Sequence, residues 1–151
     1  MTEARELDAM IALLREAVVS DARRLTDEES CERATVIEEA GRLIDAMRVL
    51  SAADLARRSR PELGEAALAR RHGCRTAAQL LERVARVSAR EASRRAQLGA
   101  VLTPRCAIDG SPLPAQFAIA GAAVERGQIG VDAAWAITRA LGQAAAHAAP
   151  T

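Results

Sequence analysis

The stretch TAAQLLERVARVSAREASRR, which runs from Thr76 to Arg95, decides how the fold is interpreted. It contains two capping boxes, the first formed by Thr76 and Gln79 and the second by Ser88 and Glu91. In a capping box the hydroxyl of the first residue accepts a hydrogen bond from the third helical amide, so each box predicts a helix start. Two short helices joined by a tight turn, the second rich in Arg, are the outline of a helix-turn-helix.

Upstream of this stretch, apolar side chains recur at helical spacing over two long segments. The first set is a stripe on a helix of about 20 residues, formed by Leu7, Met10, Ile11, Leu14 and Val18. A third capping box, Thr26 with Glu29, opens a second helix that reaches Arg57 or Arg58 and stops before Pro61. This helix carries a near-heptad seam of Val36, Ala40, Leu43, Met47 and Leu50. The two apolar surfaces predict antiparallel packing of these helices and a homodimer through them.

Downstream, the segment 103–114 interrupts the helices, because Pro recurs in it and Asp109-Gly110 is a turn dipeptide. A further helix is predicted from the end of that segment to Arg126, closed by Gly127 as a left-handed residue. The last helix begins at Val131. The two glycines around the intervening turn thus predict a tight helical hairpin.

The composition agrees with an all-α protein. Half of the 151 residues are apolar, yet the chain has one Phe, one Trp and no Tyr, so small aliphatic side chains must fill the core. We predict a helical bundle in a single domain over residues 1–141. Its parts are long acidic helices at 1–56, a basic helix-turn-helix-like region at 57–95, an apolar helical hairpin at 96–141, and then a flexible tail at 142–151.

The net charge of +1 hides a strong segregation along the chain. Residues 1–56 hold 7 Arg and 13 Asp or Glu, a net charge of −6, and residues 57–95 hold 11 Arg and 4 Glu, a net charge of +7. Residues 96–151 hold 3 of each sign and are neutral. The sequence contains no Lys, so every base is an Arg.

The basic region supplies the candidate binding residues: Arg83, Arg86, Arg90, Arg94 and Arg95. On a helix that begins at Ser88, Arg90 and Arg94 share a face, and we expect Arg90, Arg94 and Arg95 to project into solvent. A convergent guanidinium surface attracts a phosphate backbone. Two other interpretations stay open: ion pairs within the protein or between subunits, and a plain solvated face.

Three segments resemble a known family. RRSRPELGEAALARRHGCRTAAQLL at Arg57–Leu81, VSAREA at Val87–Ala92 and AAVERGQIGVDAAWAI at Ala122–Ile137 are similar to the domain of unknown function 222. That domain is the N-terminal part of many actinobacterial proteins that end in an HNH endonuclease domain, and it is also described as a mycobacterial repeat family. The resemblance covers about Leu7 to Leu141. It implies association with a DNA-cleaving enzyme.

The residue inventory excludes the nuclease chemistry itself. An HNH motif needs an Asn and several His, for base catalysis and metal binding, whereas this chain has no Asn and only His72 and His147. His72 and Cys74 offer two metal ligands with no second pair nearby, and no Cys-x-x-Cys occurs. We therefore predict no catalytic residues, no metal, no cofactor and no small-molecule substrate.

The remaining signals concern location and role. The acidic N-terminus does not resemble a secretory signal, and the longest apolar segment is shorter than the about 20 residues that span a bilayer. We expect a cytoplasmic protein without membrane contact. Its predicted function is a non-catalytic module that binds or targets duplex DNA. The alternative is a homo-oligomerisation or protein-interaction domain with no role in nucleic-acid binding.

Overall fold

The computed structural model describes residues 2–20, 22–107 and 111–148. It confirms the predicted all-α class. The helices are α1 (Thr2–Val19), α2 (Asp27–Arg58), α3 (Leu68–Arg71), α4 (Ala77–Ala85), α5 (Ala89–Leu102), α6 (Ala118–Glu125) and α7 (Val131–Ala148), with 3-10 turns at Ala22–Arg24 and Pro61–Ala66. Two short strands, β1 (Arg105–Cys106) and β2 (Pro112–Leu113), pair antiparallel. The contacts divide the chain into two compact units, Met1–Ile37 and Glu38–Thr151.

The first unit is held together at the turn between α1 and α2. The predicted capping box is confirmed, because the Thr26 N–H donates to Glu29 Oε2 at 2.7 Å and Thr26 Oγ1 accepts from the Glu29 N–H at 3.3 Å. The backbone N–H of Thr26 first, and the Thr26 side chain second, hold the pKa of the Glu29 carboxyl below its ordinary value. The Arg33 guanidinium donates to Ser20 Oγ at 2.8 Å and to the Ala17 carbonyl at 2.9 Å. The first turns of α2 therefore lie beside the end of α1.

Much of the apolar surface of the first unit faces solvent. Leu7 and Met10 are half-buried, whereas the later members of the α1 stripe are exposed. Val18 and Val19 are 81% and 82% exposed. The other exposed apolar side chains of the unit are Ile11, Leu13, Leu14, Val36 and Ile37. The predicted stripe thus exists, but the described part of this unit leaves most of it in contact with water.

The core of the second unit is built from small aliphatic residues, as the composition predicts. Its buried members come from α2, α5, α6 and α7, and they are Ala46, Val49, Leu98, Leu102, Ala120, Val124 and Ala134. Phe117 and Trp135, the two aromatic residues, pack at its edge and are only partly buried. Small residues let the helix backbones approach closely. A Cβ on Gly121 would lie 2.4 Å from the Leu102 carbonyl oxygen.

A second cluster fixes the helix-turn-helix-like region. Ala52 of α2, Leu81 of α4 and Ala92 of α5 are buried against one another. Beside them Ala69, Cys74 and Leu80 form a small satellite core under α3. The end of α2 therefore supports α4 and the first half of α5, and the second half of α5 contributes Leu98 and Leu102 to the main core.

Several predicted boundaries need correction. The helix expected from the end of segment 103–114 begins only at Ala118, because β1 and β2 occupy part of that segment. The last helix is longer than expected, since α7 continues into the predicted tail as far as Ala148. An Ala-rich sequence with high helix propensity explains the extension. The turn predicted at Asp109-Gly110, like residues 149–151, lies outside the described residues.

The helical hairpin was predicted correctly at its turn. Gly127 has φ +65° and ends α6 as its left-handed residue, and Ile129 folds back onto the core. Within the described ranges, no helix is long and apolar enough to cross a lipid bilayer.

Candidate nucleic-acid interface

The two short helices predicted from the capping boxes form as expected. Thr76 Oγ1 accepts from the Gln79 N–H at 3.2 Å at the start of α4. Ser88 Oγ accepts from the Glu91 N–H at 3.2 Å at the start of α5. Three residues, 86–88, join the helices. This is the tight turn that a helix-turn-helix requires.

Arg86 makes the turn in an unusual conformation. It ends α4 with φ 53°, and it is the only residue other than Gly that has positive φ in the described chain. An L-residue pays a steric penalty there that Gly avoids. An Arg at this position holds an exposed guanidinium at the tip of the turn, at some cost in stability.

Three of the five candidate arginines are exposed, and for Arg90 this is the predicted position. They are Arg83, Arg86 and Arg90. The Arg83 guanidinium donates to the His72 carbonyl, which brings it to the end of α3. Arg86 and Arg90 form no ion pair with any described residue. Both guanidinium groups are therefore available to an external anion.

The expectation that Arg94 and Arg95 project into solvent is wrong. The Arg95 side chain is 14% exposed, and its Nε donates to Glu91 Oε1 at 2.7 Å, one helical turn earlier. The Arg94 side chain is 34% exposed and pairs with Asp132 at the start of α7. Its guanidinium carbon lies 5.6 Å from the centroid of the Trp135 ring, within cation–π range. Arg94 therefore joins α5 to α7, whereas Arg95 pairs within α5.

The pairing of Arg94 leaves one hydrogen-bond donor unsatisfied. Its Nε is buried and has no partner among the described residues. A buried donor without an acceptor is uncommon in folded proteins and destabilising. The guanidinium is thus held by its Nη2, which donates to Asp132, and by the indole ring.

Arg94 and Trp135 also belong to a groove between α5 and α7 that the sequence did not predict. Its volume is about 700 Å³. Its walls are Ser88, Arg90, Glu91, Ser93, Arg94 and Gln97 from α5, and Trp135 and Arg139 from α7. Arg139 is exposed and has no ion-pair partner in the described ranges. Its position four residues after Trp135 is the signal that could have found it, since such residues share a helix face.

The wider basic region contains further unpaired cations. Asp54 binds both Arg57 and Arg58, the latter with Nε 2.6 Å from Oδ2. Burial raises the pKa of the Asp54 carboxyl, but the hydrogen bonds from both arginines outweigh it and hold the pKa below its ordinary value. Seven of the region's eleven arginines pair with no carboxylate of the described chain: Arg60, Arg70, Arg71, Arg75, Arg83, Arg86 and Arg90.

The described residues offer little to a metal ion. They contain no group of three or more His, Cys, Asp or Glu side chains placed to hold one. Cys74 is buried, with its Sγ 3.8 Å from the His72 carbonyl oxygen, and Cys31 is exposed.

Comparison with known proteins found no matching family model, no similar curated protein and no similar solved structure.

Proposed function

We propose that the protein is a non-catalytic module that binds nucleic acid through the exposed arginines of α4, α5 and the turn between them. The observation that carries this proposal is the pair of free guanidinium groups on Arg86 and Arg90, at the turn and the first turn of α5. Arg86 occupies a strained backbone position that Gly would occupy more easily. A strained residue whose side chain faces water is a candidate for a binding role.

The contacts would be made mainly to phosphate. Arg is the only base, the chain has no Asn, and Gln97 is the one amide side chain on the face of α5 that lines the groove. Bidentate reading of adenine uses Asn or Gln. Binding should therefore depend little on sequence, with a dissociation constant on the order of 10⁻⁴–10⁻⁶ M at physiological salt. The resemblance to the domain of unknown function 222 agrees with a role beside DNA-acting enzymes.

A salt titration of duplex binding tests the proposal. Fluorescence anisotropy of a labelled generic duplex should rise with protein and lose affinity steeply with salt, because counterions are released from the phosphates. The double variant Arg86→Ala/Arg90→Ala should weaken binding equally on unrelated duplexes. It should also reduce the slope of log K against log salt by about 0.9 per lost contact.

The matched control is Arg5→Ala/Arg126→Ala, which removes the same charge from exposed positions on α1 and at the end of α6. It should bind duplex nearly as the native protein does. If both double variants lose affinity equally, net charge alone explains binding and no localised interface exists. If the native protein binds no duplex at low salt, the proposal fails.

The exposed apolar surface of the first unit favours a second function, self-association. Val18 and Val19 are more than four-fifths exposed, and Val36 and Ile37 are exposed as well. Apolar surface of this kind on a helical hairpin is buried when two hairpins pair into a four-helix bundle. We propose a homodimer through α1 and the first turns of α2.

Sedimentation equilibrium at tens of micromolar tests the dimer. The double variant Ile11→Ser/Val18→Ser should shift the equilibrium toward monomer without lowering the stability of the monomer, because both side chains are exposed. Ile119→Ser is the matched control, since Ile119 is 89% exposed on α6. A native protein that sediments as a monomer would exclude this function.

A further inference from the structure

We infer that the groove between α5 and α7 binds single-stranded nucleic acid, with a base stacked at Trp135 and phosphates between Arg90 and Arg139. The inference rests on the proposed nucleic-acid role and names the form of the ligand that this groove accepts. The groove shares Arg90 with the proposed duplex interface, whereas Trp135 and Arg139 belong to the groove alone and Arg86 does not line it.

The shape of the groove favours a strand over a duplex. A recognition helix must protrude to enter the major groove of a duplex, which is about 12 Å wide. Here α7 contacts α5 through Asp132 and Trp135, and residues of both helices form the walls of a cleft of about 700 Å³. A cleft of this size accommodates a small ligand or a short length of chain.

The charges of the groove suit a phosphate backbone. Arg90 on one wall and Arg139 on the other have no ion-pair partner in the parts of the chain described. Glu91 also lines the groove, but its carboxylate is neutralised by Arg95 at 2.7 Å. The charge of Arg94 is compensated by Asp132. Two free cations face each other across the cleft.

The aromatic content of the groove points to bases. Unpaired bases stack on indole rings and on guanidinium planes, and such stacking tolerates any sequence. Trp135 is the only Trp of the protein, and the Arg94 guanidinium lies 5.6 Å from its ring centroid. Ser93 and Gln97 add uncharged polar groups on the α5 wall, and their side chains form no hydrogen bonds within the described chain. The carboxylates of an acidic peptide could pair with the arginines but would not stack on the Trp135 ring.

The intrinsic fluorescence of Trp135 tests the inference directly, because the sequence has no second Trp and no Tyr. Oligothymidylate of about 16 nucleotides, a length that a single-strand groove covers, is titrated into the native protein. A duplex of the same length and polyglutamate are titrated in parallel, and anisotropy of the labelled nucleic acids reports binding independently. We expect the single strand to quench the fluorescence and the other two probes to leave it nearly unchanged.

Variants assign the signal to the groove. Arg139→Ala should reduce the slope of log K against log salt for the single strand by about 0.7 and leave the affinity for duplex unchanged. The control variant Arg126→Ala should change neither the slope nor the duplex affinity. Trp135→Leu should lower single-strand affinity about tenfold, with its melting curve recorded because Trp135 also packs on the core. The Arg139 variant, whose side chain is exposed, remains informative if the Trp135 variant unfolds.

The outcomes separate this inference from the proposed function. Duplex binding without any quenching by the single strand refutes the groove and leaves the proposed function standing. Quenching by polyglutamate as strong as that by the single strand also refutes it, because the groove would then accept any polyanion. Absence of binding to both nucleic acids refutes both proposals.

Discussion

Gly121 tests how closely the packing of the second unit depends on small residues. It lies in α6, where a Cβ would come within 2.4 Å of the Leu102 carbonyl oxygen at the end of α5. Ordinary contacts of a Cβ begin near 3.4 Å. The opposing atom belongs to the backbone of a residue that is itself 4% exposed, so it cannot rotate away. Gly121→Ala should force α6 away from α5 by about 1 Å.

Two opposing effects determine how much Gly121→Ala changes the free energy of unfolding. Overpacking of a well-packed core costs about 1–3 kcal/mol, and a clash with backbone belongs at the upper end. Replacing Gly by Ala inside a helix contributes about 1 kcal/mol of helix propensity in return. The net loss in the free energy of unfolding should be about 2 kcal/mol. For a chain of this length, that loss lowers the melting temperature by roughly 4–8 °C.

Gly41→Ala is the matched control, because it is the same substitution inside a helix with open space around it. A Cβ on Gly41 in α2 would meet no atom within 4 Å. Only the propensity gain remains, so this variant should be more stable by about 0.5–1 kcal/mol.

Urea denaturation followed by Trp135 fluorescence measures both variants in the second unit, where the indole packs at the core. Circular dichroism in the same samples checks that the helices persist. We expect the free energy of unfolding to be lower in Gly121→Ala and higher in Gly41→Ala than in the native protein. If Gly121→Ala were as stable as the native protein, the close approach of α5 and α6 would be wrong.

Three further predictions follow from particular residues. Arg86→Gly should raise the free energy of unfolding by about 0.5–1 kcal/mol, since Gly adopts a positive φ without a steric penalty. The same variant should weaken duplex binding because it removes a guanidinium group. A lower free energy of unfolding would contradict backbone strain at this turn. Because the pKa of Glu29 is lowered in the folded protein, its ionised carboxylate stabilises the fold above the ordinary Glu value of about 4.3. That contribution is lost as the pH falls through the folded pKa, so the stability difference between the native protein and Glu29→Ala should shrink from pH 7 to pH 3; a difference that stayed constant would contradict the capping contact. Plasmid DNA with Mg²⁺ or Mn²⁺ should not be nicked, because the chain has no Asn and two His; nicking that survived repurification and vanished in a His72→Ala or His147→Ala variant would contradict this.

The helix starts could be predicted because their causes are local. A hydroxyl at the N-cap and a Glu or Gln three residues later belong to one short stretch, and at Thr26, Thr76 and Ser88 the hydroxyl accepts the expected amide. The end of α6 followed the same logic, since Gly127 alone permits the left-handed cap. The short strands were missed because two residues carry no periodicity.

The position of Arg95 is also contained in the helical spacing of α5. Ala92, Arg95, Gly99 and Leu102 are spaced three, four and three residues apart, so they form one row along the helix. The other three members are buried, and Arg95 lies among them with Glu91 as its partner. A helical-wheel projection of the sequence alone therefore places Arg95 on the buried face of α5 and Arg90 on a different face.

The position of Arg94 could not be predicted in this way. Its partners, Asp132 and Trp135, are about forty residues away along the chain and meet it only because α7 packs beside α5. The groove between α5 and α7 could not be predicted for the same reason. Its two walls come from separate helices, and no local pattern in either helix shows that the other one faces it.

The pattern of ion pairs argues against salt bridging as the purpose of the basic region. Of the four Glu within residues 57–95, only Glu91 pairs with an Arg in the described chain, although eleven arginines are near in sequence. Among the described carboxylates of residues 38–58, only Asp54 binds arginines of the region, and these lie three and four residues away on the same helix. Exposed pairs of that kind contribute at most about 1 kcal/mol.

An arrangement that stabilised the fold through ion pairs would use the nearby carboxylates of Glu62, Glu65 and Glu82, whereas here they form no ion pair with any described residue. The unpaired arginines leave a net positive surface, which is what the proposed binding to a phosphate backbone requires.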